Sequence, residues 1–326
     1  MKAFVWEQGE HTIKEMTPST PQKDEVVVDI KVAGLNRRDL YISNRMGDDK
    51  PAITIGSDGA GIISAIGENV TNVKVGDEVI INPSLRWDTN SDAPPEGFDI
   101  LGMPDHGTIA EKIVISSQQV EAKPAQLSWE ESGVLALAGL TGYRALVTKG
   151  GIQQGQTVFI PGAGSGVATY MIQFAKAKGA KVIVSSRSKD KQQQALKIGA
   201  DIAVDTDADW NEALMDEKID LVIDSVGAAT FNKSLSILKK GGKMVVFGAT
   251  AGDTVDINLR AFFYGQYQLL GSTMGSREEL RDMLKLVEEQ QIRPVISETF
   301  HLSHVQDAFS TLEGNTQFGK IAIHIA

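Results

Sequence analysis

Five small residues, Gly162, Ala163, Gly164, Ser165 and Gly166, stand between an apolar stretch, Val158 to Pro161, and ten residues of helical spacing, Thr169 to Lys178. A strand that ends this way brings bare backbone against phosphate oxygens and aims the N–H groups of the next helix at them. The chemistry served is capture of a dinucleotide diphosphate, with Val167 in the first helical turn as a further donor. A tight strand-to-helix turn with no ligand has the same composition, so the surroundings must decide. Ala168 occupies the third glycine position, where the need is close helix–strand packing. Pro161 removes one backbone donor ahead of the turn, which counts against a tight grip on the phosphates.

The next apolar stretch, Lys181 to Val184, is the expected second strand, and its C-terminal end faces the adenosine ribose. A site for NAD places Asp or Glu there, about 20 residues past the glycines, to hold both ribose hydroxyls. Here that end carries Ser186, Arg187 and Lys191. A carboxylate repels a 2′-phosphate, whereas a hydroxyl and two cations, one a planar guanidinium fork, attract it. The expected cofactor is NADPH. A solvated basic helix start is the alternative, but the macrodipole of a helix disfavours cations at its beginning unless an anion is bound.

These residues need a scaffold. The chain has 326 residues, 42% of them hydrophobic, enough for two domains with conventional cores. Its formal net charge of -10 argues against a nucleic-acid surface. With no cysteine there are no disulfides, thiolate metal sites or cysteine nucleophiles. The start, Met1 to Glu7, lacks the apolar core of a signal peptide, and no run approaches the roughly 20 apolar residues of a membrane span. A cytoplasmic protein without membrane or nucleic-acid partners is expected.

Residues 1 to about 120 have the texture of strands and turns. Val26 to Val32 and Val75 to Ile81 are β-branched and bounded by Asp and Gly, and Gly59 to Gly67 is a strand whose glycines admit a neighbouring backbone. The long polar stretch between Pro83 and Pro104 has the composition of a surface loop, and its length leaves a lid or an interaction lobe as the alternative. From Ser128, an N-cap with Glu131 as its capping-box partner, helices and strands alternate. Strands are expected at 158–160, 181–184, 202–204, 221–224, 243–247 and 268–270. This is an α/β pattern: a doubly wound, six-stranded parallel Rossmann sheet over 131–275, attached to a β-rich domain built from 1–130 together with 276–326.

Ala33 to Tyr41, Gly56 to Gly61, Val73 to Val79, Leu140 to Tyr143, the glycine turn, and Leu238 to Gly248, in that order and spacing, resemble the medium-chain dehydrogenase/reductase superfamily over essentially the whole chain. The resemblance implies a GroES-like fold for the β-rich domain. Its zinc alcohol dehydrogenases carry a cysteine in the place of Asn36, a histidine in the place of Ser57, and a four-cysteine zinc lobe in the place of Arg86 to Met103. No metal ligand set is therefore expected. Asn36, Asp39 and Tyr41 are similar to the zinc-independent quinone oxidoreductase branch.

That likeness implies reduction of a quinone or α,β-unsaturated carbonyl by NADPH, in which charge delocalises onto a distant oxygen and a Lewis acid is less needed. It implies that Tyr41 gives a hydrogen bond or proton to the acceptor oxygen, with Asn36 as a neutral donor and Asp39 orienting them. A pocket wall is the other role open to Tyr41, and a brace for the short helix the other role for Asp39. Arg37 and Lys320 match cations near the cofactor diphosphate, and Thr141, Gly248 and Thr273 surround the nicotinamide. An alcohol or aldehyde dehydrogenase and a non-catalytic NADPH-binding protein are the alternatives. The apolar edge strand near Tyr267 to Gly271 implies a homodimer.

Overall fold

The computed structural model describes residues 1–42 and 52–325. The chain forms two compact units, Met1–Leu140 with Gly275–Ala326, and Thr141–Met274. The chain leaves the first unit to build the second and returns to finish the first. The boundary falls after Leu140 rather than at residue 130. The helix Trp129–Gly133 packs on the first unit's main sheet, where Gly34 lies so close that a Cβ on it would stand 2.6 Å from Gly133 O. Its start is as expected: Ser128 N donates to Glu131 Oε2 at 2.8 Å and Glu131 N to Ser128 Oγ at 3.2 Å.

In the first unit the main sheet runs Val120–Ala122, Glu78–Ile81, Asp58–Ile66, Glu25–Gly34, Lys320–His324, Ile296–His301, with Lys112–Ser116 also paired to Glu25–Gly34. Its core is mainly aliphatic, with Val26, Val28, Ile30, Ile63, Ile81 and Ile323 all buried beside Phe4 and Phe309. Gly61 explains the glycines of its strand: a Cβ there would lie 2.2 Å from Asp29 O on the paired strand. Register matters more than any single contact. Gly34 pairs with Asp58 on one side and Ala322 on the other, so three stretches distant in sequence meet at one point of the sheet.

The second unit is a parallel sheet of order Ile202–Val204, Lys181–Ser185, Thr157–Pro161, Ile219–Asp224, Leu238–Val246, Gln268–Gly271. All six expected strands are present. The order reverses between Thr157–Pro161 and its two neighbours, which is the topological switch point where doubly wound sheets bind their ligands. The helix Gly166–Ala177 begins beside that point.

The stretch after Pro83 is more than a surface excursion. Trp87 is buried, its ring packs edge-on against Phe98, and Arg86 pairs with Asp99 and Asp105. The backbone of Arg277 and Glu278, at the start of the helix Arg277–Glu289, donates to Trp87 O and Asp88 O. Aromatic packing and a helix start hold this lobe together.

Candidate functional site

In the second unit, Gly162 turns with φ of +79°, a conformation glycine adopts without strain. Its amide and that of Ala163 both donate to Ser185 O, at 3.1 and 2.9 Å. Ser165 caps the helix, accepting Ala168 N on its hydroxyl at 3.1 Å and Thr169 N on its carbonyl at 3.1 Å. Of the first-turn donors, the amides of Gly166 and Val167 are left without a helical carbonyl, which is the arrangement that receives an anion. The two amides that follow Pro161 are committed to Ser185 O and are not among those offered to an anion.

At the end of Lys181–Ser185, Ser186 is buried, its hydroxyl accepting Ser188 N at 3.1 Å and its carbonyl accepting Gln192 Nε2 at 2.7 Å. Arg187 is exposed and has no partner among the described residues. Lys191, on the helix Lys189–Lys197, folds across the glycine turn: a Cβ on Gly164 would meet its Cδ at 2.6 Å and its Nζ at 3.3 Å. Burial there lowers the proton affinity of the ammonium, against the raising effect of Asp190. The structure thus brings Lys191 to the glycine turn and leaves Arg187 free at the strand end. Thr141 donates to Met274 Sδ at 3.6 Å, Gly248 lies against Ser225, and Thr273 is exposed.

The first unit holds the other residues. The 3₁₀ turn Arg37–Tyr41 follows Glu25–Gly34 directly. Tyr41 is 41% exposed, so its ring is accessible. Asp39 is fully buried, accepting Asn36 N on Oδ2 at 2.8 Å, while its Oδ1 has no partner among the described residues. Burial drives its carboxyl up to about 6, opposed by Arg38, by the Asn36 N–H and by Lys320, and reinforced by Asp58.

Two expectations are corrected here. Asn36 is only 7% exposed, with its carboxamide turned inward: Nδ2 donates to Asp58 Oδ2 at 3.0 Å, and Oδ1 accepts from Lys320 Nζ at 2.5 Å. It is not disposed as a donor to a substrate. Lys320 is 4% exposed and spends its ammonium on this cluster, so it presents no free cation to a diphosphate, whereas half-buried Arg37 gives one of its five N–H groups to Leu312 O at 3.1 Å. Asn36 and Lys320 were assigned by position along the chain, which says nothing of acceptors nearby.

Asp58 was not singled out from the sequence. It is fully buried and accepts Leu137 N at 2.6 Å, Asn36 Nδ2 and Lys320 Nζ. The available signal was a charged residue inside the otherwise apolar and small segment Gly56 to Gly61. Arg38 was missed as well; it donates to Ser57 Oγ at 2.5 Å and Leu101 O at 2.7 Å.

The two positions that would supply a catalytic zinc are therefore occupied by other chemistry. Asn36 Oδ1 is bound by an ammonium and Ser57 Oγ by a guanidinium, and two cations beside two neutral oxygens do not suit a dication that prefers thiolate, imidazole and carboxylate. Among the described residues no group of three or more His, Asp or Glu side chains is arranged to hold a metal ion. No helix among them is long and apolar enough to cross a membrane.

Two family models match: an alcohol dehydrogenase GroES-like domain over residues 22–125 and a zinc-binding dehydrogenase over residues 166–289. The chain is 32% identical to the zinc-type alcohol dehydrogenase-like protein YogA of Leptosphaeria maculans, across 94% of this chain and 92% of that protein. It is 30% identical to an acryloyl-coenzyme A reductase of Sulfurisphaera tokodaii, across 99% of each. A crystal structure of an NAD-dependent alcohol dehydrogenase superposes with a TM-score of 0.93 at 32% identity, covering 100% of both chains. With its GroES-like strands, its six-stranded parallel sheet and these relatives, the chain belongs to the medium-chain dehydrogenase/reductase superfamily of nicotinamide-dependent oxidoreductases.

Proposed function

We propose that this protein is an NADPH-dependent reductase of α,β-unsaturated carbonyl compounds, quinones included, that works without a metal. The observation that carries the cofactor choice is the end of Lys181–Ser185, where no carboxylate stands and Arg187 is exposed without a partner among the described residues. A 2′-phosphate supplies the anion that this guanidinium lacks. The NAD-dependent structural relative makes NADH the natural control.

Bound at the glycine turn, NADPH supplies the hydride. The amides of Gly166 and Val167 hold its diphosphate, Lys191 lies close enough to add a cation, and Ser186 and Arg187 meet the ribose phosphate. Thr141, Gly248 and Thr273 are assigned to the nicotinamide end. The hydroxyl of the exposed Tyr41 hydrogen-bonds or protonates the acceptor oxygen as negative charge gathers there. Hydride addition to a conjugated carbonyl spreads charge to that oxygen, a task a neutral donor can serve. The ammonium and guanidinium seated at the positions of zinc ligands support chemistry of this kind. The likeness to an acryloyl-coenzyme A reductase supports an unsaturated acyl group as the acceptor class.

The protein acts as a homodimer in this scheme. Among the described residues Gln268–Gly271 pairs with Leu238–Val246 on one side only, and Leu269, Phe263 and Tyr264 beside it are exposed, so a second copy covers both an open sheet edge and an apolar surface. The test of function is oxidation of NADPH, with NADH alongside, against a panel of enones, unsaturated acyl thioesters and quinones. Cofactor binding with no turnover across that panel leaves the protein a non-catalytic NADPH binder. Activity confined to saturated alcohols and abolished by a chelator makes it an alcohol dehydrogenase.

A further inference from the structure

Lys320 carries its charge in the interior of the first unit. An ammonium has three hydrogens, and three acceptors meet this one: Leu35 O at 2.8 Å, Asn36 Oδ1 at 2.5 Å and Asp58 Oδ2 at 3.1 Å. Nothing is left over for a phosphate. Asp58 is equally committed, its other oxygen fixed by Leu137 N at the start of the helix Ala136–Tyr143.

Between the two charges lies the carboxamide of Asn36, oxygen on Lys320 and nitrogen on Asp58. Its backbone is tied to the next turn twice: Asn36 N donates to Asp39 Oδ2 at 2.8 Å, and Asp39 N donates to Asn36 O at 2.9 Å. The turn Arg37–Tyr41 is too short to be stable by itself, since a single helical turn fixes several dihedrals for one or two hydrogen bonds. Arg37 and Arg38 tie its side chains to Leu312 O, Ser57 Oγ and Leu101 O, and Asn36 anchors its N-terminal end.

We propose that Lys320 is a positioning residue which, paired with Asp58, clamps the carboxamide of Asn36 and through it the start of the turn that holds Asp39 and presents Tyr41. A buried ion pair is a poor source of stability compared with well-packed apolar residues, but its bonds are directional and admit one geometry. Here that geometry is passed, through the two bonds between Asn36 and Asp39, to the N-terminal end of the turn Arg37–Tyr41. The kinetic half of the inference rests on the reductase function proposed above, while the structural half stands on the hydrogen bonds alone.

Lys320→Met by itself strands a buried carboxylate and endangers folding, so the informative variants are Asp58→Asn/Lys320→Met, which removes both charges together, and Asn36→Ala, which cuts the link and keeps the pair. Three quantities are measured: NADPH affinity by fluorescence titration, kcat and KM with an enone, and hydrogen exchange of the amides of residues 36–42. Both variants are expected to bind NADPH as the wild type does and to exchange faster over residues 36–42, with the parallel strands of the second unit unchanged. Their kcat is expected to fall on the order of 10- to 100-fold, the usual effect of misplacing a reacting group by about 1 Å. Variants with wild-type exchange and wild-type kcat overturn the proposal. So does loss of NADPH affinity with kcat retained, which is the result for a diphosphate-binding cation. If the wild type itself turns over no acceptor, the reductase function fails separately, and the exchange measurement alone decides whether Lys320 positions the turn.

Discussion

Replacing Asp39 by asparagine tests the electrostatics of the first unit. The carboxyl is fully buried, one oxygen has no partner among the described residues, and its pKa rises from the ordinary 3.8 to about 6, chiefly through desolvation. The folded state therefore holds this proton more tightly than the unfolded chain does. Stability falls as pH climbs from near 4 to near 6, and above that range the cost of the buried charge is fully present. At about 1.4 kcal/mol for each tenfold change in proton affinity, the cost is about 3 kcal/mol at neutral pH. An asparagine side chain keeps an oxygen to accept Asn36 N and never ionises. Asp39→Asn is thus expected to be more stable than the wild type by up to about 3 kcal/mol at about pH 7.5, with the gap closing towards pH 4. Urea unfolding at both pH values, followed by tryptophan fluorescence, measures it. Trp6, Trp87 and Trp129 lie in the first unit and only Trp210 in the second, so the signal reports mainly on the right part of the molecule. An Asp39→Asn protein less stable than the wild type at the higher pH, with no narrowing of the gap in acid, refutes the reasoning. If the costly carboxylate is kept for function, the same substitution lowers kcat.

Arg187→Ala removes a charge-assisted contact worth roughly 1.5–3 kcal/mol, so NADPH binding should weaken about 10- to 100-fold while NADH binding is unchanged, as read by fluorescence titration. Equal losses for both cofactors place the guanidinium elsewhere. Light scattering at micromolar concentration should give a dimer for the wild type and a monomer for Leu269→Lys, because a charge on the open edge blocks strand pairing. A monomeric wild type removes the edge strand as an interface.

The parallel sheet was legible because each strand is a short apolar run and each crossover has helical spacing, a pattern local enough to survive without knowledge of the fold. The glycine turn was legible for the same reason, but the meaning of Pro161 was not: only the bonds from Gly162 and Ala163 to Ser185 O show which donors remain for an anion. The polar centre of the first unit lay beyond local pattern. Lys320 and Asp58 are 262 residues apart and meet because Gly34 pairs with both of their strands. A likeness by position could bring Asn36 and Lys320 to notice, yet it assigned each to a ligand when they are bound to one another. Trp87 was read as part of a loop since its neighbours are polar; its lobe is held by a helix start far along the chain, where Glu278 Oε2 accepts Asn90 N across 188 residues.

Metal-free, NADPH-driven reduction is tested most directly by following NADPH at its absorbance band as an α,β-unsaturated carbonyl or acyl thioester is added to the protein. Oxidation is expected to be faster with NADPH than with NADH, indifferent to chelators and diminished in Tyr41→Phe. Turnover that requires zinc, or that is equal with the two cofactors and untouched by the loss of the Tyr41 hydroxyl, contradicts it.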